Sequence, residues 1–189
     1  MTNRLEQNTA EAIELLQQMN AFSTQIETAA VIVAESLRLD GRMLACGNGG
    51  SSSEAGHLTT ELVVRYKKDR KAYGAICLNT NGGDLTAIGN DYSFEQVFER
   101  QVEAYGRKGD CLIVFTSSGQ SQNILLALRQ AKAQGMKTIA FLGKDGGFCM
   151  NEADCTICVP HFETARVQEA HLLLLHTLCD LVEAELGHA

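Results

Sequence analysis

At 189 residues the chain is long enough for one domain with a sizeable core. Apolar residues make up 45% of it and charged residues 21%, an ordinary balance for a soluble globular protein. No run of about 18 apolar residues is present to span a membrane, and the net charge of −7 argues against a broad nucleic-acid footprint. A small anion remains compatible with that charge, because a local nest of backbone N–H groups binds one whatever the global sign. The polar start, Met1-Thr2-Asn3-Arg4-Leu5-Glu6, has no apolar core of a secretory signal. Seven cysteines without such a signal point to reduced thiols in the cytoplasm.

Residues 3–20 and 22–39 show helical periodicity. Leu5, Ala12, Leu15, Leu16 and Met19 mark one apolar face, and Ile26, Ala29, Ala30, Val33 and Leu37 the other. These two helices, within the first 40 residues of a domain expected to run over 1–189, need a partner surface in the domain or on another subunit. From residue 42 strands and helices alternate. The strands are expected at 42–46, 74–79, 110–116, 137–142 and 154–159. The helices are expected at 51–68, 92–105, 121–134 and 163–186, with a short turn at 84–89. Such alternation implies βαβ units and a parallel sheet that binds ligands at the C-terminal ends of its strands.

The first strand end, Cys46-Gly47-Asn48-Gly49-Gly50-Ser51-Ser52-Ser53, opens a helix and so presents free N–H groups and a helix dipole to an anion. On that helix His57, Glu61 and Arg65 recur at i, i+4 spacing and fall near one face. By themselves they also fit an exposed face with one Glu–Arg pair. The third strand ends in Thr116-Ser117-Ser118-Gly119-Gln120-Ser121, whose hydroxyls before a helix suit phosphate oxygens and equally suit a plain helix cap. Neither turn has the lysine of a P-loop. Gly47-Asn48-Gly49 lacks the third glycine of a dinucleotide fingerprint, Ser52 standing in its place. The missing lysine and metal-carboxylate apparatus favour a monophosphate over a nucleoside triphosphate. Cys155-Thr156-Ile157-Cys158 is a C-x-x-C match, but on a strand residues i and i+3 point to opposite faces. The last helix is apolar on most sides and carries Gln168, His171 and His176. Periodicity leaves open which histidine joins a site.

Taken in order, the segments Cys46 to Ser51, His57-x-x-x-Glu61-x-x-x-Arg65-Tyr66, Ala87-Ile88-Gly89-Asn90-Asp91-Tyr92, Ser118-Gly119-Gln120-Ser121 and Arg166-Val167-Gln168-Glu169-x-His171 closely resemble the bacterial sedoheptulose 7-phosphate isomerases, or phosphoheptose isomerases, of the sugar isomerase (SIS) superfamily. The resemblance covers essentially the whole chain. It implies an α/β three-layer sandwich of flavodoxin-like type, with a five-stranded parallel sheet preceded by two N-terminal helices. It also implies a homotetramer with sites between subunits. The implied reaction converts sedoheptulose 7-phosphate to D-glycero-D-manno-heptose 7-phosphate, toward lipopolysaccharide heptose.

By matching positions, Asn48, Gly49, Gly50, Asn90, Asp91, Thr116, Ser117, Ser118 and Ser121 would bind substrate, and Ser51, Glu61, Arg65 and Gln168 join them as candidates. His57, Glu61, Gln168 and His176 would hold Zn²⁺, so the resemblance selects His176 over His171. An aldose–ketose isomerase moves a proton between C1 and C2 through an enediol, with Glu61 as base and His176 as acid. The chain departs from the family at Asn81-Gly82-Gly83 and at Ser117-Ser118, near strand ends that bear on the choice of sugar. Non-catalytic SIS-domain regulators and replication-initiator-associating proteins are the competing class; they need not keep Glu61 and His176. An isomerase of another ketose phosphate is a third reading.

Overall fold

A computed structural model describes residues 3–188; Met1, Thr2 and Ala189, the ends of the expected domain, lie outside the described residues. Five strands form one all-parallel sheet: β1 (Met43–Gly47), β2 (Ala75–Cys77), β3 (Cys111–Thr116), β4 (Lys137–Gly143) and β5 (Cys155–Val159). Their order is β2-β1-β3-β4-β5, so the winding reverses between β1 and β3. The helices are α1 (Arg4–Leu16), α2 (Ser23–Arg38), α3 (Gly50–Val63), α4 (Gly82–Asp91), α5 (Glu99–Tyr105), α6 (Gln122–Ala133) and α7 (Thr164–Glu185). The expected α/β sandwich and its strands are therefore present, each strand end within two residues of its expected place.

β1 and β3 are continuous apolar runs buried over their whole length, as strands covered on both faces must be. One face carries Met43, Ala45, Cys111, Ile113 and Phe115 against α2, α3 and α7. The other carries Leu44, Cys46, Leu112 and Val114 against α5 and α6. Phe115 stacks on Phe141 with centroids 4.8 Å apart at the middle of the first face. α2 buries Ala29, Ala30 and Val33 in that core, whereas α1 leaves Leu5 and Ile13 exposed. All seven cysteines are free, and Cys155 and Cys158 belong to opposite faces of β5, as their strand spacing requires. Burial pushes the Cys111 and Cys179 thiols up to about 12.

The expected helix at 3–20 ends at Leu16, with a separate 3₁₀ turn at Met19–Phe22. Three further helices differ from expectation. The stretch 92–105 divides into a 3₁₀ turn at Phe94–Gln96 and the short α5. The turn at 84–89 grows into the ten-residue α4, because Asn81 caps it by accepting from the backbone N–H of Gly83 at 3.0 Å and Asp84 at 3.3 Å. The departure Asn81-Gly82-Gly83 is thus a helix start.

The third difference is that α3 ends at Val63 rather than 68. The cause lies far away in sequence. Glu183 of α7, 3% exposed, accepts the N–H groups of Tyr66, Lys67 and Lys68 at 3.1, 3.2 and 3.3 Å. Arg70 Nε donates to the same carboxylate at 2.9 Å, while its two Nη atoms donate to the carbonyls of Leu62 at 2.9 Å and Glu61 at 2.7 Å. The guanidinium takes helix-end carbonyls that have no partner in the helix, and the carboxylate takes N–H groups that would have continued it. Burial pushes the Glu183 carboxyl up, but the three backbone donors and Arg70 together outweigh it and hold it below 4.5. A depressed carboxyl contributes stability above its unfolded value and loses it as pH falls through the folded value. Unfolding by urea is expected to become easier on acidification below pH 4.5, and Glu183→Gln to flatten that dependence while lowering stability near neutrality by about 3–5 kcal/mol.

Candidate active site and metal centre

The parallel pairing sets Gly47 beside Phe115, so the turns after β1 and β3 leave the sheet side by side at the point where the winding reverses. That is where open α/β sheets take ligands. Asn79, just past β2, donates to Gly47 O at 2.8 Å and accepts from Gly47 N–H at 3.1 Å, fixing the end of β1. Asn48 and Asn123, the latter 3% exposed on the first turn of α6, exchange amide hydrogen bonds of 2.8 and 3.0 Å that tie the two turns together. Gly49 adopts φ +57 before α3, and the N–H of buried Ser51 donates to Asn48 O at 3.1 Å.

The second turn is folded on itself. Thr116 Oγ1 accepts from Gly119 N–H and Ser118 Oγ from Gln120 N–H, both at 3.2 Å. Ser121 then stands at the N-cap of α6 and contributes no side-chain cap bond. Ser117, Ser118 and Ser121 are half-buried at this helix start. Gly119 has φ +64, and a Cβ there would lie 1.9 Å from Gly146 O.

α3 and α7 leave the same end of the sheet, with the polar side chains of one meeting those of the other. At the top, a cavity of about 400 Å³ is lined by Gly50, Glu54, His57, Gln168 and Glu169 among others. Gly50 faces the Gln168 amide so closely that a Cβ would meet its Nε2 at 2.3 Å. Further down, His57 Nε2 lies 3.0 Å from Glu61 Oε1 and 3.2 Å from His176 Nε2. One ligand atom from each of the three lies within 4.8 Å of the others. His57 Nε2 has either one proton or one lone pair, and so cannot satisfy both neighbours at once. A shared cation resolves the conflict. Ligands about 2.0–2.2 Å from a tetrahedral zinc lie about 3.3–3.6 Å apart, a little beyond the two distances that His57 makes and inside the 4.8 Å that bounds all three atoms. The three residues therefore fit a metal, and Gln168 lines the cavity next to His57.

His171 belongs to the core instead: it is fully buried, packs edge-on to Phe115 and Phe141, and its Nε2 meets Leu142 O at 3.0 Å. Its Nδ1 faces Glu54 Oε1 at 3.7 Å, and neither that nitrogen nor either Glu54 oxygen has a hydrogen-bond partner. Arg65 is not on the helix with His57 and Glu61, because α3 has already ended; it is exposed and donates to Lys67 O at 3.3 Å. Asn90 donates to Asp91 at 2.9 Å on the last turn of α4, both exposed. Sequence reasoning missed Asn79, Asn123 and Glu54. Asn123 was marked by polarity on the apolar face of α6 and Glu54 by lying one turn before His57, whereas nothing local marked Asn79.

Residues 7–143 match the family model of the SIS domain. Among curated proteins, the phosphoheptose isomerase of Clostridium acetobutylicum is 47% identical over 176 residues, covering 93% of this chain and 90% of the relative. Solved phosphoheptose isomerases from Francisella tularensis and Neisseria gonorrhoeae superpose with TM-scores of 0.92 and 0.89 at 36% and 38% identity. Each alignment covers 96% of this chain and 97% of the other. The fold and its matched domain thus make this a SIS-domain protein. Within that family the chain belongs to the phosphoheptose isomerases.

Two glycines separate site from scaffold. Gly50→Ala meets only the end of a flexible side chain, so melting is expected to shift by no more than about 3 °C while sugar-phosphate binding weakens roughly tenfold. Gly119→Ala meets backbone in a left-handed conformation and is expected to lower unfolding free energy by about 1–3 kcal/mol or more. Thermal melts and a binding titration on both variants check this.

Proposed function

We propose that the protein interconverts sedoheptulose 7-phosphate and D-glycero-D-manno-heptose 7-phosphate. Membership of the phosphoheptose isomerases makes it an aldose–ketose isomerase, and the observation that carries the particular chemistry is the convergence of Glu61, His57 and His176 beside the cavity under Gly50. In this reading the phosphate rests on the N-terminus of α6 and the hydroxyls of Thr116, Ser117, Ser118 and Ser121, where free N–H groups and the helix dipole favour an anion. The sugar extends from there past Asn48, Gly49, Gly50 and Ser51 toward α3 and α7.

Glu61 takes the proton from the carbon next to the carbonyl and returns it to the neighbouring carbon. His176 donates to and accepts from the sugar oxygens as the enediol forms and collapses. Groups held in this way contribute about 10²–10⁴-fold each. Gln168, fixed against Gly50, orients the sugar oxygens. His57, Glu61 and His176, with Gln168 as fourth donor, would hold Zn²⁺, which when bound supplies Lewis-acid polarisation of the sugar oxygens.

Arg65, Asn90 and Asp91 are exposed in the single chain and stay candidates for substrate contact where subunits meet. A homotetramer with sites at its interfaces is accordingly part of the proposal, as is a chain working as one SIS domain. Among the described residues no helix is long and apolar enough to cross a membrane. The proposal places the chain in the cytoplasm and invokes no nucleic acid or membrane partner.

Glu61→Gln is expected to cut turnover of sedoheptulose 7-phosphate by at least about 10³-fold with circular dichroism unchanged; activity within a few-fold of the parent removes Glu61 as the base. A chelator is expected to abolish turnover and added Zn²⁺ to restore it. Turnover indifferent to chelator keeps the acid–base pair and discards the metal, and no turnover with or without zinc turns the reading toward another ketose phosphate.

A further inference from the structure

Residues 64–74, between α3 and β2, contain no helix or strand. The Glu183 carboxylate and the Arg70 guanidinium, whose side chain is 0% exposed, organise the segment as described above. What they hold in place is more than a loop. Tyr66, whose N–H donates to Glu183 at 3.1 Å, lays its ring over His176 with centroids 5.9 Å apart and planes inclined by 21°. Arg70 Nη2 meets the backbone carbonyl of Glu61 itself at 2.7 Å. One buried ion pair therefore reaches both residues of the acid–base pair, the first through an aromatic ring and the second through the end of its helix.

We propose that Glu183 and Arg70 are positioning residues for the isomerase reaction, setting the orientation of the His176 imidazole through Tyr66 and the height of Glu61 through the last turn of α3. This rests on the reading of Glu61 as base and His176 as acid. A histidine on a helix turns about two side-chain bonds, so a partly exposed ring needs a wall to keep its nitrogen aimed. His57 meets the His176 ring edge-on with centroids 4.9 Å apart, and Tyr66 covers the ring at a small interplanar angle. Tyr66 is itself on irregular backbone, so its place depends on the N–H bonds to Glu183. A buried ion pair is weak evidence of a stabilising role, since apolar residues of the same volume often serve as well. The partners of this pair, a catalytic candidate's carbonyl and the N–H of the residue that covers the other, give it a different use. Misplacement by about 1 Å costs an enzyme on the order of 10²-fold.

The test compares Glu183→Gln, Tyr66→Leu and the double variant in steady-state kinetics on sedoheptulose 7-phosphate, beside the parent and Glu61→Gln. Tyr66→Leu removes the ring and keeps the N–H, so it tests the chain of contacts even where Glu183→Gln folds poorly. Each single variant is expected to lower kcat about 10–100-fold with KM within about threefold. The double variant is expected to be no slower than Glu183→Gln alone, because the carboxylate acts through the ring. A Tyr66→Leu protein with the parent's kcat overturns the proposal, as does a folded Glu183→Gln protein that melts earlier but turns over normally. Multiplicative losses in the double variant overturn it too. Failure of the underlying acid–base reading shows separately, as retained activity in Glu61→Gln.

Discussion

Hydrogen bonding between β1 and β3 is the constraint on which the rest depends. Pairing them in parallel, with β2 and β4 on their outer sides, forces successive connections to opposite faces of the sheet. The chain therefore parts at one place, and the turns after Gly47 and Phe115 open into the same crevice. Everything proposed for phosphate and sugar follows from that adjacency. Neither turn has a lysine, and the molecule carries a net charge of −7. Attraction for an anion must then come from N–H groups and from the dipoles of α3 and α6, which both begin there.

α3 and α7 meet along a line of polar pairs set into an otherwise apolar core. Gly50 with Gln168, Glu54 with His171, and His57 with His176 follow one another down the two helices. The middle pair is costly: both Glu54 oxygens and His171 Nδ1 are buried without partners. A fold selected for stability alone would fill that position with leucine, as α7 does with Leu174, Leu175 and Leu178 around it. Uncompensated polar groups next to a cavity are the kind of local inconsistency found at working sites.

Much of this was legible in the sequence, and the exceptions have a common cause. The strands announced themselves because a sheet covered on both faces needs unbroken apolar runs, and β1 and β3 are such runs. The two turns were legible because glycine and hydroxyl residues after a strand have few other uses. Periodicity could not choose between His171 and His176, since both lie within reach of Gln168 around the helix. The core takes His171 because Leu142 O and two phenylalanine rings wait for it. The end of α3 was misplaced because residues 64–68 have no helix breaker. What stops the helix is Glu183, more than a hundred residues onward. Asn79 and Asn123 likewise act on partners 32 and 75 residues away, beyond any local pattern.

The paired amides of Asn48 and Asn123 have a kinetic meaning. They join the turn proposed for the sugar to the turn proposed for its phosphate, and Asn79 fastens the first of these to the sheet. Two loops bound in this way cannot open and close independently. The relative placing of the two turns is set before a ligand arrives, so little ordering entropy is lost on association. Substrate entry and product exit then require no loop at this end of the sheet to unfold.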